Sequence, residues 1–592
     1  MKIKVADYIA DLLSELGVTD VFSVVGGAAM HLNNAFGQHK KINCIYNHHE
    51  QASAIAAESF ARIDNKIAVA CVTSGPGGTN AITGVLCAFL DNIPLLVISG
   101  QTRYSTTVEG SGLNLRQFGE QEYRIVESVK PMTKYAVMVK NPQEIKYHVE
   151  RAIYEAMNGR KGPCWIDVPL DVQASIIEDT ELAGFIPEEK ILFDDAISNY
   201  ILDRLKKAER PVIVAGSAIR QAGCLDDFHI LTEKLNMPVL CPTAVSDYFH
   251  YDHHLYYGNF GVFGGRTGNF IVQNADLILS LGARMSFKQI GFNYQSFAPK
   301  AEKIVVDIDS EELKKNTIKI DFPIHADVVD VISSLNKLLF KDLPQKRKWL
   351  QYCNALKEGF ERLSEKQTIS QSVNPYFFAS RLQEKLPSNA IGVVGNSCAC
   401  ASIQQYGISK KGQRLYANIN CGTMGYDIPA AIGAAIGSKK SVVCITGDGS
   451  FQMNIQELQT IVHNRLPIKL IVFNNNGYQA IVHTQTNFFN GILSGCTAES
   501  GISFPSFKKI SEAYGIPYKK IETHDNVDNG IDWLLSLDSY GLCEVIQDNS
   551  QPIEPRVISK KLADGTMVSP PIDDLAPFLS KEEYDKYSIF IE

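Results

Sequence analysis

The chain alternates short, unbroken apolar runs with stretches of helical periodicity. The runs include "KIAVACVTS" (66–74), "IPLLVISG" (93–100), "RPVIVAGS" (210–217), "ADLILSLGA" (275–283), "KIVVDID" (303–309), "AIGVVG" (390–395), "SVVCITGDG" (441–449) and "IKLIVFNN" (468–475). None alternates apolar with polar residues, so each reads as a strand buried on both faces. Such strands belong to parallel sheets covered by helices. Two stretches break the rhythm. Residues 176–198 are acidic and aperiodic, and residues 340–372 form a charged, helix-like connector. The pattern therefore predicts doubly wound α/β units over 1–175, 195–340 and 370–550, followed by a tail, 551–592. The first and third units look alike, each with Gly-rich strand ends.

Composition narrows the class. A chain of 592 residues exceeds what one core can organise. Hydrophobic residues make up 45% and charged residues 21%, as in ordinary globular proteins. The net charge of −8 and the lack of a long basic run argue against a nucleic-acid partner. The N-terminal "MKIKVADYIADLLSELG" reads as an amphipathic helix rather than a signal peptide. No apolar run reaches the ~18 residues of a membrane span. The 13 cysteines are scattered; the nearest pair, Cys398 and Cys400, lacks a companion pair for zinc. Reduced thiols in the cytoplasm are the expectation.

The richest chemistry lies in "ITGDGSFQMNIQELQTIVHNRLPIKLIVFNNNGY" (445–478). Ligands of open parallel sheets bind beyond the carboxyl ends of strands. One strand delivers Gly447, Asp448, Gly449 and Ser450 to that edge. A helical stretch with Ile455, Leu458, Ile461 and Val462 on one face returns the chain, and a second strand delivers Asn474 and Asn475. A carboxylate, an amide oxygen and a backbone carbonyl at Gly477 can then converge as hard oxygen ligands for Mg²⁺ holding phosphate. Alone, Gly-Asp-Gly is as well read as a helix cap with a polar turn. The Asn pair following 24 residues later (450–473 intervening) changes that. With this spacing the segment resembles the diphosphate-binding motif of thiamine-diphosphate enzymes.

That cofactor would need a second carboxylate. Its thiazolium C2 loses a proton when a carboxylate hydrogen-bonds N1′ of the aminopyrimidine. "CIYNHHEQASAIAAESFARI" (44–63) offers Glu50 at the start of a small-residue helix; on its own, Glu50 could equally complement the helix dipole. Glu58, deeper in the helix, reads as structural. "NHHEQASAIAAESFAR", "TSGPGGTNAITGV" (73–85) and "DNIPLLVISGQ" (91–101) together resemble the pyrimidine-binding domain of the acetolactate synthase group. The resemblance implies that Glu50 is the activating glutamate. It also implies that Gln121 lines the active site and that Gly26 and Gly27 form its first loop. It implies contacts from Asn396 and Ser397 to the diphosphate, and a bent cofactor propped by Met424 in "CGTMGYDIPAAIGAAIG" (421–437), which also contains Gly422. Tyr478 falls beside the same site.

The same resemblance makes 195–340 a central domain that holds FAD without redox use, through Gly216, Gly282, Arg284, Asp307, Asp309 and Asp327. No GxGxxG fingerprint opens a βαβ unit there, so hydride transfer is disfavoured. One departure concerns the acceptor. Acetolactate synthases carry an acid and an arginine shortly after the equivalent of Arg284, the arginine gripping the carboxylate of the second 2-keto acid. Here Phe287 and Lys288 stand instead, and Lys lacks the bidentate fork. The family's acceptor-pocket tryptophan falls on Thr484, with His483 beside it. The tail differs as well, and resembles that of thiamine enzymes of specialised carbohydrate metabolism.

The resulting expectation is three doubly wound α/β domains: pyrimidine-binding, central and diphosphate-binding. The resemblance implies a homodimer or homotetramer in which Glu50 of one subunit faces Asp448 and Asn475 of another. Thiamine diphosphate, Mg²⁺ and FAD are the expected cofactors. A 2-keto acid such as pyruvate would be decarboxylated and its two-carbon unit added to a second pyruvate, an aldehyde or a keto-sugar. Backbone N–H groups near Gly26, Gly27 and Gln121 would stabilise developing charge. A plain 2-keto acid decarboxylase is the alternative, and a non-catalytic binding protein on the same fold is a third reading.

Overall fold

Val442–Gly447 shows why the runs do not alternate: all six of its residues are buried, because helices cover both faces of its sheet. The same holds for Ala68–Val72, Leu95–Gln101, Pro211–Ala215 and Leu277–Leu281. The computed structural model describes residues 1–188, 193–338, 340, 343–561, 564 and 566–588. Parts of the predicted acidic break (189–192), of the central unit and connector (339, 341–342) and of the tail (562–563, 565, 589–592) lie outside the described residues.

Three six-stranded sheets carry the chain, and every pairing within them is parallel. In the first, the strands run Asn43–Tyr46, Asp20–Ser23, Ala68–Val72, Leu95–Gln101, Pro163–Pro169, Tyr135–Met138 across the sheet. In the third they run Arg414–Tyr416, Ile391–Val394, Val442–Gly447, Ile468–Asn474, Gly541–Ile546, Tyr518–Ile521. Numbered in chain order, both read 2-1-3-4-6-5, so the likeness of the two units extends to topology. The middle sheet, from Tyr256–Phe260 through Pro211–Ala215 and Leu277–Leu281 to Phe322–His325, reads 3-2-1-4-5-6.

Strand order fixes where ligands can enter. An open parallel sheet leaves a crevice where neighbouring strands send their connections in opposite directions. In the third sheet that point lies between Ile391–Val394 and Val442–Gly447, which end at Asn396-Ser397 and at Asp448. In the middle sheet it lies between Pro211–Ala215 and Leu277–Leu281, which end at Gly216 and Gly282. In the first it lies between Asp20–Ser23 and Ala68–Val72, beside Gly26 and Gly75.

The first and third sheets share one apolar cluster. Its centre is the helix Glu50–Asp64, packed between Pro76–Asp91 of its own sheet and Asp427–Ser438 of the third. The fit depends on small side chains: a β-carbon at Gly433 would lie 1.9 Å from the Ala56 carbonyl oxygen. Polar groups pin the same interface. Arg62 Nε donates to Glu58 at 3.1 Å and its Nη2 to Asp91 at 2.7 Å, while Tyr426 donates to Glu58 at 2.7 Å. Asn418 and Asn420 complete Asp91. Burial pushes the Glu58 carboxyl up, opposed by Arg62. Glu58 is thus structural.

The charged connector holds a helix, Arg347–Gly359, whose Trp349, Cys353 and Leu356 pack onto the middle sheet. The tail adds Ile572 and Leu575 to the same cluster and carries a helix, Lys581–Tyr587. Among the described residues, no helix is long and apolar enough to cross a membrane. Replacing Arg62 by Met leaves Glu58 and Asp91 buried without their cation. The expected loss is about 3–5 kcal/mol, read as a lower urea midpoint.

Candidate active site

Asp448 sits one residue beyond its strand and is 2% exposed. The register that pairs Gly447 with Phe473 puts the start of the Asn run beside it. Its Oδ1 accepts from Gly449 N–H at 2.8 Å; its Oδ2 accepts from Asn475 N–H at 3.1 Å and Gly477 N–H at 3.2 Å. Burial pushes this carboxyl up to about 6 against the pull of those N–H groups. Below that range a proton would occupy the group a cation needs.

Asn475 donates its Nδ2 to Gln547 at 3.3 Å, and its buried Oδ1 has no hydrogen-bond partner. A buried acceptor left unmatched beside a buried carboxylate is costly, and a hard cation would satisfy both. The residues present therefore fit Mg²⁺. Asn474 turns away, donating to Glu544 at 2.6 Å. A β-carbon at Gly477 would lie 2.5 Å from the Cys496 carbonyl oxygen, so only glycine lets this loop close over Asp448.

Around this pair stand the other residues expected of the third unit. Ser397 caps the helix Cys398–Tyr406, its Oγ accepting from Cys400 N–H at 3.1 Å. Asn396 donates to the Gly422 carbonyl. Ser450 Oγ accepts from Gly425 N–H at 2.8 Å, tying the Gly422–Met424 turn to the helix that starts at Asp448. Met424, Gly447, Gly449 and Tyr478 line the same cleft.

On the first sheet, Glu50 opens its helix and its Oε2 accepts from Asn80 Nδ2 at 3.0 Å. A β-carbon at Gly77 would approach Glu50 Oε1 at 3.5 Å, and one at Gly26 would strike Thr73. Gln121 adopts positive φ, 54°, and its carbonyl abuts Gly75. The loop that carries it is folded around buried Glu122, which accepts from Phe118 and Gly119 N–H. Glu50, Gly26, Gly27 and Gln121 thus share one sheet edge. They are absent from the described lining of the cleft that holds Asp448.

That cleft is about 1960 Å³, roomier than the ~300–1,000 Å³ usual for one small ligand. It runs from Asp448 to the middle sheet, where Gly216, N–H bonded to the Leu281 carbonyl at 2.9 Å, meets Gly282. Asp307 lies in its wall, its carboxyl raised by burial. Asp327 lines it and caps Val328–Lys337, accepting from Val329 N–H at 3.1 Å. Arg284 is engaged by Glu312 at 3.0 Å. Asp309 pairs with Arg160 at 2.7 Å and stands outside the described lining.

Residues 3–122, 199–335 and 394–545 match the N-terminal TPP-binding, central and C-terminal TPP-binding domains of thiamine pyrophosphate enzymes. The chain belongs to that family. This thiamine pyrophosphate enzyme is similar to an acetolactate synthase large subunit from Lactococcus lactis subsp. lactis (strain IL1403), 31% identical over 553 residues covering 92% of each chain. It is similar also to acetolactate synthase 1, chloroplastic, of Nicotiana tabacum, 30% identical over 94% of this chain and 83% of that one. Acetolactate synthase isozyme 2 large subunit of Escherichia coli (strain K12) is 29% identical over 93% of this chain and 97% of that one. The protein is a thiamine-diphosphate-dependent, acetolactate-synthase-like enzyme.

Two residues that support or line the site escaped sequence reasoning. Gln547, which holds Asn475, follows directly on the strand Gly541–Ile546, and that strand end was the available signal. Arg556, from the tail, lines the cleft and left no local signal. One other group among the described residues has ligand-like spacing: Glu233, His253 and His254. There His253 Nδ1 accepts from Leu255 N–H at 3.3 Å, which leaves Nε2 protonated and donating to Glu233 at 3.2 Å rather than free for a metal.

Substituting Ala for Gly477 would push the loop off Asp448. Thiamine diphosphate retention in Mg²⁺ buffer is expected to weaken about ten- to a hundredfold, measured by cofactor titration.

Proposed function

We propose that the enzyme binds thiamine diphosphate through Mg²⁺ held by Asp448, Asn475 and the Gly477 carbonyl, and uses it to join a two-carbon unit from a 2-keto acid to an acceptor carbonyl. The observation that carries the reading is the unmatched Asn475 Oδ1 beside the buried carboxylate of Asp448, at the crevice of the third sheet. The helix beginning at Asp448 opens at this crevice, where the positive end of its dipole favours an anion. Asn396, Ser397, Gly422, Gly447, Gly449 and Ser450 form the wall that would receive the diphosphate. Met424 and Tyr478 would support the rings.

When bound, thiamine diphosphate supplies the electron sink that lets a 2-keto acid lose CO₂ and passes the remaining two carbons to a carbonyl. The chain's part is to hold, orient and exclude. Glu50, kept in place by Asn80, would hydrogen-bond the aminopyrimidine and move its proton. N–H groups near Gly26 and Gly27, with Gln121, would meet developing charge on the substrate oxygen.

A second subunit completes the site in this reading. Glu50 is missing from the described lining of its own chain's Asp448 cleft, and the sheet edge around it exposes Val25, Met30, Leu113 and Phe118. A homodimer or homotetramer would bring that edge over another subunit's cleft. The middle crevice, with Gly216, Gly282, Asp307 and Asp327, has room for FAD in a non-redox role; Arg284 would have to leave Glu312 to reach a phosphate. The domain division adopted is 1–175, 195–340 and 370–550, with the tail 551–592. All 13 cysteines are free, which suits a reducing cytoplasm.

The acceptor side is where this chain departs from the residue pattern of acetolactate synthases. Lys288 donates to the Ile419 carbonyl at 2.5 Å, and Thr484 bonds back to the Ala480 carbonyl at 2.9 Å. Neither offers the fork that an acceptor carboxylate would meet. The expected donor is pyruvate, and the acceptor a second pyruvate, an aldehyde or a keto-sugar. Glu50→Gln should retain thiamine diphosphate yet release CO₂ from pyruvate about 10²–10⁴ times more slowly. Unchanged CO₂ release would refute Glu50's role, and mass spectrometry of products formed with each acceptor class would name the partner.

A further inference from the structure

Where the resemblance implies an acceptor-gripping arginine this chain has Lys288, yet the cleft holds an arginine from the tail. Among the described residues, the Arg and Lys side chains lining it are Arg160, Lys161, Arg284, Lys288 and Arg556. Four of them are engaged. Arg160 pairs with Asp309 and Glu312, and Arg284 with Glu312. Lys161 donates to Asn65 and to the Gln221 carbonyl, and Lys288 to the Ile419 carbonyl. The Arg556 guanidinium makes no ion pair or hydrogen bond with any described residue. Glu554 is near enough to feel its charge but is not bonded to it.

Arg556 is nevertheless held firmly by its backbone. Its N–H donates to the Ala576 carbonyl at 3.1 Å, and Ala576 N–H returns a bond at 2.8 Å. On either side, Val557 N–H donates to the Val262 carbonyl at 2.9 Å and Gln405 donates to the Pro555 carbonyl at 2.6 Å. The tail is thereby stitched to both the middle and the third units, and Arg556 shares the cleft lining with His483 and Cys398. His483 is held below its usual range by burial and then by Arg556; Cys398 feels the same charge. Cys398 adjoins Ser397, and His483 lies on the helix that follows Tyr478, so Arg556 stands at the substrate end of the cofactor wall.

A cation there suits the acceptor better than the donor. The donor's carboxylate gives up its charge as CO₂ departs, so an arginine gripping it would favour the ground state over the transition state. An anionic group on the acceptor keeps its charge throughout and can be held at no such cost. We propose that Arg556 receives the anionic group of the acceptor, a carboxylate or a phosphate, as a bidentate partner supplied by the tail in place of Lys288. This assignment rests on the carboligase reading of the same site.

The test compares the full-length holoenzyme with its Arg556→Met and Arg556→Lys variants. Pyruvate serves as the carboxylate acceptor, a UDP-linked 4-keto-sugar as the phosphate-bearing one, and acetaldehyde as the uncharged one. Met should raise the KM of one anionic acceptor about 10- to 100-fold, with kcat and acetaldehyde ligation far less affected; Lys should recover part of the loss. Whichever anionic arm responds identifies the group. Equal losses for charged and uncharged acceptors, no loss, or a matching fall in thiamine diphosphate affinity would overturn the assignment. Direct titration of pyruvate and of the UDP-sugar into cofactor-loaded Glu50→Gln protein, with and without Arg556→Met, reads binding without turnover. If the wild type releases no CO₂ from any 2-keto acid, the carboligase reading fails. The titration still decides Arg556, because an anion affinity indifferent to the substitution contradicts the proposal.

Discussion

The burial of the Asp448 carboxylate beside the Asn475 amide is the constraint on which the rest of the site depends. Asp448 is satisfied only by N–H groups, from Gly449, Asn475 and Gly477, and its neighbour Asn475 keeps an unmatched oxygen. Such a centre is expensive unless something positive completes it. The fold carries that expense because the parallel register of Val442–Gly447 with Ile468–Asn474 leaves no other place for the two strand ends. Glycine at 477, the cap at Ser397 and the Ser450 bond to Gly425 all shape the backbone around that one carboxylate.

The same logic repeats in the other sheets. Each has a crevice where its strand order reverses, and each crevice is lined by glycine and a few polar groups. The first and third sheets are locked together through the Glu50–Asp64 helix and the Glu58–Arg62–Asp91 network, so Glu50 is carried on a rigid element. The middle sheet and the tail close the far side of the cleft, and the tail's backbone bonds make it part of the wall.

Much of this was legible in the sequence. The interior strands announced themselves as apolar runs, and Gly-Asp-Gly with its Asn pair marked the proposed cation site because all its parts lie within one βαβ stretch. What was harder to read follows a physical pattern. Pro163–Pro169 and Gly541–Ile546 are fully or almost fully buried, yet each carries an acid that breaks the run. Asp167 is satisfied by Ser99 and Gln101, and Glu544 by Asn474 and Tyr518, bonds that no local pattern reveals. Edge strands such as Tyr135–Met138 and Arg414–Tyr416 are short or half-exposed and lose the apolar signature. The charged connector read as helix-like, and it is, but its packing onto the middle sheet stayed hidden because only Trp349, Cys353 and Leu356 face the core. Gln547 and Arg556 reach the site only through tertiary folding.

The central claim is that the Asp448–Asn475 pair is a cation site whose occupant holds thiamine diphosphate. Calorimetric titration of metal-stripped protein with thiamine diphosphate, with and without Mg²⁺, tests it most directly. Tight binding is predicted only with Mg²⁺, and Asp448→Ala should abolish it while the protein remains folded. Equal binding without the cation, or undiminished binding by Asp448→Ala, would contradict the account.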